Sequence, residues 1–389
     1  MSIVLLTIFF VIVFFYCTLM LLYWSGWKSL SSYQVNDTTT IRLPRISVLV
    51  AARNEEANLP ALLQSMAAQD YPALLWELII VDDHSEDRTA EMAESFEMGN
   101  LKTIRMEGRL PANVNAYKKK ALETGIGAAC GELIVTTDAD CVVNSRWLTT
   151  IGSFYAEHPC NMIVMPVHMR ADGGWLGIFQ QLDFMSLQGI TGAATKWRIH
   201  GMCNGANLAY TRNSFYEAGG FSGIDQMASG DDMMLLQKMK HHWQNGIRYL
   251  LSPDVIVLTS PQQTMSDFFS QRIRWAGKAG NYPDATMLPV LMIVYLFNLS
   301  LMILMISTAI HPFQSLPPFY CTNWQLLAGT MLMKTVLEIF FLIPVARFFG
   351  NSRSLWIFPL LQPLHICYTV LAGAMGLMPT YRWKGRKVR

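Results

Sequence analysis

Charge is scarce in this 389-residue chain: Asp, Glu, Lys and Arg make up 15% of it, while 52% is hydrophobic. Soluble globular domains carry roughly 25% charged residues, so an ordinary water-soluble domain is excluded. Neither sign dominates, with 30 basic and 28 acidic residues and a net charge of +2, which excludes a strongly basic nucleic-acid binder. Cysteine is thinly spread. The seven lie far apart with no Cys-x-x-Cys pair, so neither a disulfide framework nor a zinc site is indicated. Repeats and low-complexity tracts are lacking too. The shortage of charge is uneven. Residues 1–28 hold one charge, Lys28, and residues 285–381 hold four, Lys334, Glu338, Arg347 and Arg353, whereas the tail 382–389 holds five. A moderately polar domain therefore lies between apolar ends.

The first apolar end, 1–27, reads as an uncleaved membrane anchor. Residues 3–24 are almost continuously apolar, and about 20 such residues cross a bilayer as a helix. A cleaved signal peptide has a basic start and a shorter apolar core. Lys28, just after the anchor, favours a cytoplasmic domain behind it. The second apolar end, 287–381, supplies three further spans, at Met287–Ile310, 326–348 and 355–378, the first two separated by a proline-bearing turn at 312–323. One span plus three put the basic tail 382–389 outside, against the positive-inside tendency, unless one apolar segment is interfacial or re-entrant. Lys334 and Glu338 stand four apart within a span. Such a pair either neutralises itself on one helix face or lies beside a sugar or lipid path.

Between the ends, over 45–263, β-rich runs at Ile46–Ala52, 77–81 and 133–137 alternate with helical patterns at 59–69, 87–96 and 117–129. That alternation predicts an α/β domain with a mostly parallel sheet, whose ligands bind at the carboxyl ends of the strands. Each predicted strand runs into acid: Arg53-Asn54-Glu55-Glu56, then Asp82-Asp83-His84-Ser85, then Asp138-Ala139-Asp140. Carboxylates gathered at one sheet edge are costly without a cation or a donor-rich ligand. Asp138 and Asp140 flank one small residue, so both can reach one hard cation, Mg²⁺ or Mn²⁺, which keeps positions open for phosphate oxygens. His84 reads as structural, and the loop Asn204-Gly205-Ala206-Asn207 as either a substrate loop or an ordinary turn.

These segments, in order, resemble the family 2 glycosyltransferases of GT-A fold, and Gly230-Asp231-Asp232 and Gln271-Arg272-Ile273-Arg274-Trp275, a QxxRW motif, extend the likeness over about 45–280. With the apolar ends, the resemblance is to the membrane-bound branch that holds polysaccharide synthases and ceramide glucosyltransferases. It implies a nucleotide-sugar-binding domain in which Ala51 and Glu55 line the nucleotide pocket and Asp83 bonds the base, typically uracil. Lys118 approaches the diphosphate, Asp138 and Asp140 hold sugar-nucleotide and metal, and Asp232 is the catalytic base, with Asp231 standing where the family more often has Glu. Gln271, Arg274 and Trp275, in an interfacial segment 264–286, close over the diphosphate and the acceptor end; the residues alone also read as a membrane-interface helix, and both readings can hold together. The implied enzyme is an inverting, metal-dependent transferase, integral to a bacterial inner membrane, with its catalytic domain cytoplasmic. Its partners are a nucleotide-sugar donor, probed first as UDP-linked, a lipid, lipid-linked or glycan acceptor, the bilayer, and membrane subunits where it works in a complex. Three C-terminal spans make a narrow channel, which favours a lipid acceptor over a processive synthase that threads its glycan. A non-catalytic subunit of a synthase complex is the rival from another class; a transporter leaves the acidic strand ends unexplained, and a nucleotidyltransferase leaves the QxxRW motif unexplained.

Overall fold

In a computed structural model of the chain, residues 3–36, 41–106, 116–171, 173–224, 230–278, 284–316, 321–376, 381–383 and 386–388 are described. They form two compact units interleaved in sequence. One comprises Leu30–Arg170, Ala194–Ser260 and Arg382–Arg389; the other comprises Met1–Ser29, Ala171–Ala193 and Pro261–Tyr381.

The first unit is the expected α/β domain. Strands β1 (Ile46–Ala52), β2 (Trp76–Asp82), β3 (Leu101–Arg105) and β4 (Leu133–Thr136) alternate with helices α2 (Leu59–Ala67), α3 (Thr89–Ser95) and α4 (Tyr117–Ala128). Helix α5 (Trp147–Glu157) leads to β5 (Met162–Val164) and β6 (Val167–Met169). A seven-stranded sheet runs in the order β3-β2-β1-β4-β7-β5-β8, with β7 (Leu208–Thr211) and β8 (Ile247–Tyr249) completing it. β7 runs antiparallel to β4 and β5, and β1 to β4 are mutually parallel. Ile46, Val48, Leu49 and Val50 are all solvent-inaccessible, as a strand covered on both faces requires. The helix side packs closely: a Cβ added to Gly125 of α4 lies 3.2 Å from Val81 and 3.3 Å from Leu49. Register pairs Ala52 with Asp82 and Leu49 with Thr136, so the carboxyl ends of β1, β2 and β4 share one edge. Helices α7 (Arg212–Glu217) and α8 (Asp231–His242) and strand β9 (Val257–Thr259), paired with β6, complete this unit.

The second unit is helical. Helices α1 (Ile3–Lys28), α10 (Met287–Ile310), α11 (Asn323–Phe348) and α12 (Phe358–Gly376) are each long and apolar enough to cross a membrane. They are joined by α6 (Trp175–Trp197) as far as Ala193 and by α9 (Met265–Ala276). Tyr16 stacks on Phe297 at 4.0 Å and Trp24 on Phe340 at 4.8 Å. Residues 317–320 of the turn and the side chains of the basic tail lie outside the described residues.

The Lys334–Glu338 pair is satisfied within this unit. Lys334, fully buried, donates to Glu338 Oε1 and to Gln362 Oε1, each at 2.6 Å. The Tyr16 hydroxyl and the Gln362 amide donate to the Glu338 carboxylate. Side chains from α1, α11 and α12 thus meet on one ion pair, the arrangement that makes charge tolerable at such depth. Lys334→Met strands the Glu338 carboxylate, and we expect it to cost about 3–5 kcal/mol. The double variant Lys334→Met, Glu338→Gln recovers most of that loss, read as thermal unfolding of the detergent-solubilised chain.

Candidate active site

The loops after β1 and β2 are laced together. Asp83 N–H donates to the Ala52 carbonyl at 2.8 Å, continuing the strand pairing past the sheet edge. Beyond it, Asn54 N–H donates to Ser85 Oγ at 3.0 Å and Glu86 N–H returns to Asn54 Oδ1 at 2.8 Å. Glu55 N–H donates to Thr89 Oγ1 at 2.8 Å and Arg88 N–H to Glu56 at 3.0 Å. Asn54 and His84 adopt left-handed backbone angles, φ 51° and 56°, at matching places in the two loops. These bonds fix the level at which Ala51, Glu55 and Asp83 stand. Asp83 is buried and meets His84 Nδ1 at 2.9 Å. Burial pushes its carboxyl above the usual range, only partly offset by His84 and Arg53. His84 thus orients an aspartate, in keeping with a structural role.

Beyond β4, Lys118 from the first turn of α4 donates to Asp138 Oδ1 at 2.7 Å and lies 3.9 Å from Asp231 Oδ2. Burial opposes its charge, but Asp138, Asp231 and Asp232 outweigh that and hold the ammonium well above its ordinary value. Asp140, although an exposed residue, is pushed up to about 6, first by the protein packed around its carboxyl and then by Asp138 and Glu55. Lys118 thus brings a cation to a group of several carboxylates.

Asp231 and Asp232 open α8 behind Gly230, whose φ of 85° is a turn that only glycine makes without strain. Their charges sit at the helix N-terminus, where the dipole favours them. Asp231 is buried and Asp232 half-buried. Gly205 N–H donates to Asp232 Oδ2 at 2.9 Å, and Met233 N–H to its Oδ1 at 2.7 Å. The Asn204–Asn207 loop therefore seats Asp232. Asn204 Oδ1 caps Ala206 N–H at 3.0 Å, and Thr136 Oγ1 at the end of β4 holds the Gly205 carbonyl at 2.8 Å. Asn207, fully buried, ties Trp147 to the carbonyls of Pro166 and Val255. Sequence reading left this loop open; its only signal was glycine flanked by asparagines.

The edge thus collects Ala51, Glu55, Asp83, Lys118, Asp138, Asp140, Asp231 and Asp232 in one unit. Asp138, which Lys118 meets through one oxygen, and Asp140 offer hard oxygen donors, which fits Mg²⁺ or Mn²⁺. No group of three or more His, Cys, Asp or Glu is assembled for a metal among the described residues. The two aspartates would therefore share the ion with phosphate and water oxygens. Gln271, Arg274 and Trp275 lie on α9 in the helical unit. There the buried Arg272 donates to Gln271 Oε1 at 3.0 Å and stands 4.3 Å over the Trp275 ring. Burial of Arg272 was not foreseen.

Residues 47–228 match the family model described as Glycosyl transferase family 2. The probable glycosyltransferase YdaM of Bacillus subtilis is 27% identical over 237 residues, covering 60% of this chain and 55% of the relative. The beta-monoglucosyldiacylglycerol synthase of Synechocystis is 26% identical over 249 residues, covering 62% of this chain and 49% of the relative. The chain spans about half the length of the curated relatives it matches. The solved mannosyltransferase PcManGT from Pyrobaculum calidifontis, in complex with GDP-Man and Mn²⁺, aligns with a TM-score of 0.55. It is 19% identical and covers 95% of this chain and 98% of its own, a likeness of fold.

The charge balance makes stability depend on pH. The raised Lys118 value means that its contribution is complete below the ordinary lysine value and fades only in alkali. Asp140 works the other way: raised from 3.8 to about 6, it loses stability for the fold as pH climbs through that window. Lys118→Met is expected to cost about 2 kcal/mol at pH 7.5. The cost shrinks at pH 5, where Asp140 takes up a proton and the cluster loses one like charge. Thermal melts at the two pH values check this.

Proposed function

We propose, on the match of residues 47–228 to the Glycosyl transferase family 2 model, that the chain moves one sugar, with inversion, from a nucleotide-diphosphate donor to a lipid acceptor. The observation that carries the reading is the Asp232 carboxylate, held by the Gly205 N–H beside the Lys118–Asp138 pair at the carboxyl edge of the sheet. The donor nucleotide lies against Ala51, Glu55 and Asp83, its base at Asp83, and UDP is the nucleotide to test first. Lys118 meets the diphosphate. Two backbone donors, Gly205 N–H and Met233 N–H, hold the Asp232 carboxylate in place at the helix start. Asp232 takes the proton from the acceptor hydroxyl as its oxygen bonds to the anomeric carbon. The bond from that carbon to the diphosphate oxygen breaks on the opposite face, so one displacement inverts the centre. Asp231, buried beside Lys118, supplies charge rather than a proton acceptor. Asp138 and Asp140 would hold Mg²⁺ or Mn²⁺, which neutralises charge on the leaving diphosphate. Gln271, Arg274 and Trp275 serve the diphosphate and the acceptor end, Arg274 through phosphate oxygens and Trp275 through its aromatic face.

The acceptor is assigned from the chain's own four membrane-length helices and from a relative named for a glycosylated diacylglycerol. The α/β unit faces the cytoplasm, as Lys28 behind the first span favours. To test this, the solubilised chain is incubated with UDP-sugars, Mg²⁺ or Mn²⁺ and a lipid extract. We expect UDP release and a lipid bearing a single sugar. Chelation abolishes turnover, and Asp232→Asn lowers it by on the order of 10²-fold or more. A ladder of long glycans would establish a processive synthase instead. No release with any donor, equal to Asp232→Asn, would favour a non-catalytic subunit.

A further inference from the structure

Helix α9 carries the QxxRW segment, yet the one buried residue of those five is a position that the motif leaves unspecified. Arg272 is 4% exposed. Its Nη2 donates to Asp183 Oδ2 at 2.7 Å, and Asp183 on α6 is equally buried. The other Asp183 oxygen accepts the Tyr368 hydroxyl and lies 3.7 Å from His365 Nε2, both on α12. Arg272 Nη1 donates to Gln271 Oε1 at 3.0 Å. The guanidinium carbon sits 4.8 Å over the Phe268 ring and 4.3 Å over the Trp275 ring. One planar cation thus engages two of the motif's side chains and pins both to a counter-ion on another helix.

The surroundings are stiff. Phe179, Phe268 and Tyr368 meet edge to face with centroids 5.3–5.6 Å apart, joining α6, α9 and α12. At the end of α9, a Cβ on Gly376 would lie 2.8 Å from the Gly277 nitrogen, so only glycine allows this approach to α12. Residues fastened at both ends of α9 hold its position. Arg272 is then free for a narrower task, the orientation of its neighbours.

We propose that Arg272, with Asp183 as its buried counter-ion, is a positioning residue that sets the Gln271 amide and the Trp275 indole for transfer. This rests on the transferase reading above. The role needs arginine. A lysine at 272 can pair with Asp183, but a point-like ammonium cannot also donate to Gln271 and spread over two rings.

Two variants separate positioning from support. Arg272→Lys keeps the charge. The variant Asp183→Leu, Arg272→Met, Tyr368→Phe removes the polar cluster, and apolar replacement of a buried ion pair commonly preserves folding. Melting, kcat and donor KM are measured in detergent. Trp275 exposure is read as acrylamide quenching, by difference against each variant carrying Trp275→Phe. We expect melting close to the parent in at least one variant, with kcat down on the order of 10–100-fold, donor KM within about threefold, and Trp275 more readily quenched. A variant that melts like the parent, keeps kcat within twofold and leaves quenching unchanged overturns the proposal. If the parent releases no UDP with any donor, the transferase reading fails by itself. Quenching alone then decides whether Arg272 orients Trp275, and an unchanged value overturns that too.

Discussion

Like charges forced together at the end of a parallel sheet are the constraint on which the α/β unit depends. Register puts the ends of β1, β2 and β4 at one level, and each end runs into carboxylates. Asp140 registers part of the consequence: its carboxyl is pushed up to about 6, first by burial and then by Asp138 and Glu55. Lys118 compensates by bonding Asp138 while standing near Asp231. The remaining charge is tolerated because α8 begins at Asp231 and a loop N–H reaches Asp232. Edge, loop and helix start form one electrostatic unit. A phosphate-bearing ligand and a hard cation suit it because each adds what the other lacks.

The helical unit meets a similar difficulty with less freedom. Away from water, a lone charge costs several kcal/mol, so Lys334 and Glu338 satisfy each other within one helix and take further bonds from Tyr16 and Gln362. Asp183 and Arg272 solve it across two helices, with Tyr368 as third partner. The first arrangement is closed. The second is open on the motif side, because the guanidinium has donors and ring faces left for Gln271 and Trp275.

Much of this was legible from residue order, and the reason is local. Strands covered on both faces are continuous apolar runs, so β1, β2 and β4 fell within a residue or so of expectation. The acids that follow them are adjacent in sequence and needed no long-range inference. Spans of about 20 apolar residues announce themselves in the same way. What escaped were pairings without local trace. Asp183 and Arg272 are 89 positions apart, and either looks like a solvated charge on an amphipathic helix. Residues 171–193 lie within the 45–263 stretch read as α/β, yet group with the apolar helices. Their buried side chains include Gln180, Gln181, Asp183 and Gln188, a polar set that hydropathy cannot mark as interior. The Gly205 donor escaped because a backbone N–H has no signature in side-chain pattern.

The acid before the proposed base is fitted to its surroundings. Asp231 is an aspartate rather than a glutamate. Here the carboxylate is buried, 3.9 Å from the Lys118 ammonium, with its Oδ2 only 3.7 Å from where a Cβ on Gly205 would lie. A side chain one methylene longer has to turn toward Lys118 or crowd the loop that holds Asp232. The shorter acid keeps the charge beside the lysine while leaving the Gly205 N–H on Asp232. The two adjacent aspartates therefore differ by burial: the inner one balances Lys118, and the half-buried one takes the loop N–H.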